Sequence, residues 1–81
     1  MATQIEKKIL ANLIVKDYIG AHRTFEDSAI RCFPKNMRGD ARKAIQNLIR
    51  EGYIQPHMVK FGRLVSINPY RLKEAIGIAL S

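Results

Sequence analysis

Eighty-one residues carry fourteen Lys and Arg against seven Asp and Glu, a formal charge of +7, with 47% hydrophobic and 26% charged residues. A chain this short buries only about 60% of its unfolded surface; that leaves room for one domain over residues 1–81 and for shallow sites, and the composition is that of a folded chain rather than a disordered tail. No apolar run approaches the roughly 18 residues of a membrane span, the opening Met-Ala-Thr-Gln-Ile-Glu-Lys-Lys lacks a signal-peptide pattern, and a lone Cys32 without paired His offers neither an internal disulfide nor a zinc site.

Residues 3–19 predict a first helix, because Ile5, Ile9, Leu10, Leu13, Ile14 and Tyr18 recur at steps of three and four, with Gly20 as the stop. Thr24 and Asp27 resemble a capping box for a short second helix over 25–32, its apolar face formed by Phe25, Ala29, Cys32 and Phe33 and its end enforced by Pro34. A tight link through Asn36 leads into a third helix over about 37–51. Its residues Ala41, Ala44, Ile45, Leu48 and Ile49 form one apolar face, and Gly52 is placed for a left-handed cap. The start is expected near Met37, although Asn36 is a good N-cap and Gly39-Asp40 would also suit a first turn. After Gly52 the period changes. Tyr53-Ile54-Gln55 and Leu64-Val65-Ser66-Ile67 predict a hairpin over about 53–67, its tip near Lys60-Phe61-Gly62-Arg63, with Gly62 supplying a positive φ and Pro56 marking an edge strand. Asn68-Pro69 opens a last helix over about 70–80.

The charge is unevenly placed. Residues 1–30 carry four basic and four acidic side chains, whereas residues 31–63 carry eight basic ones against Asp40 and Glu51. A contiguous basic segment suits a polyanionic partner, nucleic acid above all, and charge alone suits a solvated basic surface equally well. The third helix adds the chemistry of groove reading: Arg and Lys donate to guanine, Asn and Gln pair with adenine. Arg42, Lys43 and Gln46 are the candidates for base edges, with Asn47 on the same polar surface; Arg31, Lys35, Arg38 and Arg50 are the candidates for phosphates.

This order of elements, with Leu48-Ile49-Arg50-Glu51-Gly52-Tyr53-Ile54 joining the third helix to the hairpin and Ser66-Ile67-Asn68-Pro69 leaving it, resembles the winged helix-turn-helix DNA-binding domains, small bacterial and archaeal regulators among them. The resemblance covers roughly residues 5–69 and implies an α+β fold of three helices, a β-hairpin wing and a C-terminal helix. It further implies that the third helix enters the major groove of double-stranded DNA through residues 37–47 and that the wing meets the backbone through Lys60 and Arg63. Gly39 is an unusual residue near the start of such a helix. The function expected is sequence-specific DNA binding by a cytoplasmic, nucleoid-associated transcription regulator. The alternatives are a winged-helix protein-interaction module of a replication or transcription assembly, which meets an acidic protein, and RNA binding.

The last helix, with Leu72, Ala75, Ile76, Ala79 and Leu80 along one side, either packs on the first helix within the chain or forms a homodimer interface from Tyr70–Leu80 and the first helix. The dimer is favoured, since two half-sites strengthen a modest DNA contact. Phe61 either wedges against sugar or covers the core edge, the second being favoured, and His22 and His57 are expected to lie at the surface. No carboxylate pair, nucleophile-base spacing or phosphate-cradling Gly loop suggests an enzyme, and no cofactor is expected.

Overall fold

A computed structural model describes residues 3–81. The elements run α1 (Gln4–Val15), β1 (Thr24–Phe25), α2 (Glu26–Ile30), α3 (Arg38–Arg50), β2 (Ile54–Val59), β3 (Gly62–Ile67) and α4 (Leu72–Leu80), with 3₁₀ turns at Lys35–Met37 and Pro69–Arg71. The result is a small α+β fold of four helices and a three-stranded antiparallel sheet in the order β1-β3-β2. Residues 1 and 2, part of the single domain expected over 1–81, lie outside the described residues.

Helix α1 starts at Thr3, whose Oγ1 accepts from the Glu6 N–H at 3.1 Å, and it stops at Val15 rather than continuing to residue 19. The stop is Asp17, not Gly20. Asp17 takes φ 60°, its N–H donates to the Ile14 carbonyl at 3.0 Å, and the Tyr18 N–H donates to that of Leu13 at 2.9 Å. This pair of bonds closes a helix through one left-handed residue, usually Gly; Asp is among the few others that enter that region. Helix α3 ends identically, with Gly52 at φ 86° as expected and Tyr53 and Gly52 donating to Leu48 and Ile49. Gly20, at φ 64°, instead turns the chain onto the sheet. Its N–H donates to the Ile67 carbonyl at 3.0 Å and its carbonyl accepts from Ser66 Oγ at 2.9 Å.

Thr24 is not a cap. It pairs with Val65, and Phe25 with Leu64, in the two-residue strand β1, so the N-cap position of α2 falls to Phe25, which makes no side-chain bond there. The inward face of this segment also differs from the expected one: Ile30 and Phe33 are buried, whereas Phe25 and Cys32 are exposed. A five-residue helix holds too little of the helical period to fix its face from sequence.

The hairpin pairs Ile54 with Ile67, Pro56 with Val65, Met58 with Arg63 and Val59 with Gly62. Lys60 and Phe61 form the turn, and Gly62 carries the positive φ, 150°. Pro56 is tolerated because β2 is the sheet edge. Strand residues two apart share a face, so Arg63 lies in the row of the buried Val65 and Ile67 and continues the inward face towards the tip.

One core joins all layers: Ile9, Leu10 and Leu13 of α1, Ala41, Ala44, Ile45 and Leu48 of α3, Ile54, Val65 and Ile67 of the sheet, and Ala75 of α4. Each large aliphatic side chain buried there contributes about 1.5–3 kcal/mol. Asn68 fixes the exit from the sheet, its Oδ1 accepting from the Tyr70 N–H and its Nδ2 donating to the Gly52 carbonyl, both at 3.0 Å. Arg71 then lies 4.6 Å over the Tyr53 ring and pairs with Glu74. The bond to Glu74 holds the Arg71 guanidinium above its ordinary pKa.

Candidate nucleic-acid interface

The burial of Ala41, Ala44, Ile45 and Leu48 dictates which side of α3 looks outward. At 3.6 residues per turn the positions opposite the core are Gly39, Lys43, Gln46 and Arg50, an i, i+4, i+7, i+11 ridge, and all four are exposed. Arg42, exposed, and Asn47, half-buried, flank it. Asp40 is the one acid on this helix and sits in its first turn, where the positive end of the helix dipole favours it. Gly39 is helical, and an added Cβ would meet nothing within 4 Å. The fold gives no reason for a glycine there.

Helix α3 begins at Arg38, one residue after Met37, directly from the 3₁₀ turn; Asn36 makes no cap. Arg38 Nε donates to the Phe33 carbonyl at 3.2 Å, which pins the guanidinium against the link that precedes α3. Arg31 and Lys35 are exposed on that link. The expected surface residues other than Arg63 are therefore exposed or half-buried along one helix, its entry and the hairpin tip, where Lys60 lies 5.6 Å from the Phe61 ring.

Arg63 does not project from the tip. Its Nη2 donates to Glu26 Oε1 at 2.7 Å and to Gln46 Oε1 at 3.2 Å, with only 23% of the Arg63 side chain and 14% of the Glu26 side chain exposed. Arg63 thus ties the hairpin to α2 and to the outward ridge of α3. Arg63 shares the strand face of Val65 and Ile67, but the apolar Leu64 and the buried Ser66 on the other face leave no alternation that would have marked it in the sequence. Arg42 Nη2 donates to Asp27 Oδ1 at 2.7 Å in a more open pair. Two acids from the balanced first thirty residues therefore stand within the basic segment, lowering its excess from six to four. Ion pairs among the described residues engage Arg42, Arg63 and Arg71, and none engages Arg31, Lys35, Lys43, Arg50 or Lys60.

Phe25, Met58 and Phe61 stand at the surface, the first two without having been anticipated there. They border a cleft of about 370 Å³ between the hairpin tip, the start of α2 and α3, with the two ion pairs inside it. Phe61 is 87% exposed and covers no core edge. A pocket of about 260 Å³ lies between α1 and α2, where Asn12 Nδ2 donates to Cys32 Sγ at 3.0 Å. An apolar groove of about 110 Å³ separates the outer sides of α1 and α4.

Among the described residues no group of His, Cys, Asp and Glu could hold a metal ion, and no helix is long and apolar enough to cross a membrane. Comparison with protein-family models, curated proteins and solved structures gives no match.

Proposed function

We propose that the chain is a winged helix-turn-helix module that binds double-stranded DNA sequence-specifically, without catalysis, as a transcription regulator. The observation that carries this reading is the outward ridge of α3, where Lys43, Gln46 and Arg50 stand opposite the core with no acid among them. The element order and the sheet order β1-β3-β2 are compatible with it. On this reading α3 lies in the major groove, Lys43 and Gln46 meet base edges and Arg42 does so after parting from Asp27. Asn47 lies beside them at the edge of the ridge. Arg31, Lys35, Arg38, Arg50 and Lys60 meet phosphates, and Arg63 holds the wing in register with α3 through Gln46.

Fluorescence anisotropy with duplex DNA between about 50 and 200 mM salt tests it. If all five of those cations neutralise phosphates, the slope of log K against log salt approaches about −4.5. Lys43→Ala with Arg50→Ala is expected to weaken binding and flatten the slope. A slope unchanged in that double variant removes the ridge from the interface. Recovery of a stoichiometric acidic protein partner together with salt-independent, negligible duplex binding would assign the chain to the protein-interaction class instead.

The same reading includes a two-fold dimer through α1 and α4. It is supported by Val15 and Leu80, 83% and 81% exposed on the rim of the apolar groove between these helices.

A further inference from the structure

The large exposed apolar side chains of the described residues are Val15, Phe25, Met58, Phe61, Tyr70, Ile76 and Leu80. Apart from Tyr70 they fall into two groups. Val15, Ile76 and Leu80 line the uncharged groove between α1 and α4, whereas Phe25, Met58 and Phe61 ring the wing cleft, among cations. A duplex backbone offers this second group only the C–H edges of its sugars, with phosphates between them, and no flat aromatic face.

The interior of the cleft narrows the choice of ligand. Glu26 and Asp27 line it, each already paired with an arginine, so the lining has no net positive charge to hold a bare phosphate. Arg42, with 52% of its side chain exposed, keeps N–H donors beyond the one it gives to Asp27. Asp27, with 72% of its side chain exposed, retains acceptor capacity beside Arg42. The cleft therefore offers aromatic and thioether walls and both donors and acceptors between them. Lys60 at the tip and Lys43 on the ridge supply positive charge outside it. A neutral, planar group with hydrogen-bonding edges, carried on a phosphodiester chain, matches that arrangement. About 370 Å³ is at the small end of ligand sites, which run from roughly 300 to 1,000 Å³.

We infer that the wing cleft receives one unpaired DNA base, so that the chain prefers duplex DNA containing an unstacked nucleotide over a continuous duplex. The inference deepens the DNA-binding reading and rests on it, with α3 holding the flanking duplex. Phe61 and Phe25 supply the stacking faces, which a paired base cannot use because its neighbours cover both of its own. Stacking of one base on an aromatic side chain is worth roughly 5- to 150-fold in affinity.

The test compares two fluorescein-labelled DNAs of the same sequence, a continuous duplex and one with a single-nucleotide bulge, at about 50 mM salt. The bulged DNA is expected to bind roughly 5- to 150-fold more tightly. Phe61→Ala should abolish the preference while leaving continuous-duplex affinity unchanged, and Phe61→Tyr should restore it. Lys43→Ala with Arg50→Ala should weaken both DNAs alike. With Phe61 87% exposed, its replacement leaves the core intact, which circular dichroism verifies. Equal binding of the two DNAs by the native chain, or an equal loss on both in Phe61→Ala, overturns the inference and leaves the duplex reading standing. Failure to bind either DNA, with acidic protein captured instead, overturns both. Binding of the bulged DNA alone supports the cleft and removes α3 as a reader of continuous duplex.

Discussion

Gly39 poses the clearest question at the scale of single residues. In a helix interior Gly costs about 1 kcal/mol relative to Ala, and nothing in the fold demands it. It heads the outward ridge, where the missing side chain lets a partner approach the backbone of the first turn. Gly39→Ala is therefore expected to raise unfolding free energy by up to about 1 kcal/mol in a urea titration and to weaken duplex binding in the same preparation. Weaker binding with no gain in stability would place its role in the fold instead. Glu26 presents the opposite trade. Glu26→Gln keeps a neutral acceptor for Arg63 and should cost about 1 kcal/mol of stability, while removing a negative charge from beside the outward ridge of α3. Its salt dependence of duplex binding should steepen by at most about one unit of slope. A destabilised variant with unaltered DNA binding would show that the Glu26 charge lies outside the field felt by DNA.

At the scale of elements, the ends of α1 and α3 use the same paired bonds with different residues. Gly52 is constrained twice, since it sits at φ 86° and an added Cβ would stand 3.3 Å from Arg71 Nη1. Gly52→Ala is expected to cost about 1–2 kcal/mol from the left-handed backbone alone, seen as a lower denaturation midpoint with an unchanged m-value. Gly52 was legible because it follows a long, strongly periodic helix. Asp17 was not: the apolar recurrence carries through to Tyr18, and only the hydrogen bonds reveal that Tyr18 has left the helix for the sheet. The hairpin, its Gly62 tip and the edge position of Pro56 could be read from alternation and turn chemistry. Strand β1 could not, because two residues have no period and their pairing partner lies some forty positions away. The candidate surface divides in the same manner. The outward ridge of α3 follows from its buried stripe, whereas Asp27 beside Arg42 is a tertiary juxtaposition that no spacing encodes. The inward turn of Arg63 is likewise a tertiary matter, since Leu64 and the buried Ser66 blur any alternation along β3.

The whole molecule measures 30 × 28 × 22 Å, with a radius of gyration of 11.4 Å, close to the roughly 11.7 Å of a compact chain of this length. On the proposed reading a second copy packs on the apolar groove between α1 and α4. Light scattering is expected to give twice the 9.2 kDa chain mass. Ile76→Glu with Leu80→Lys should halve it without changing the circular dichroism spectrum, since Ala75, Leu72 and Ile78 provide the inward contacts of α4. A native mass of one chain would leave each module to bind its half-site alone. The central position of β3 acts on a different axis, that of time. It pairs with β2 and β1 and bonds to Tyr18 and Gly20, so the N-terminal segments find their partners only when the chain has been made as far as Ile67. On the ribosome α1 and α3 emerge before the strand that locks them. The basic surface of α3 is thus present on the nascent chain before the hairpin that steadies it.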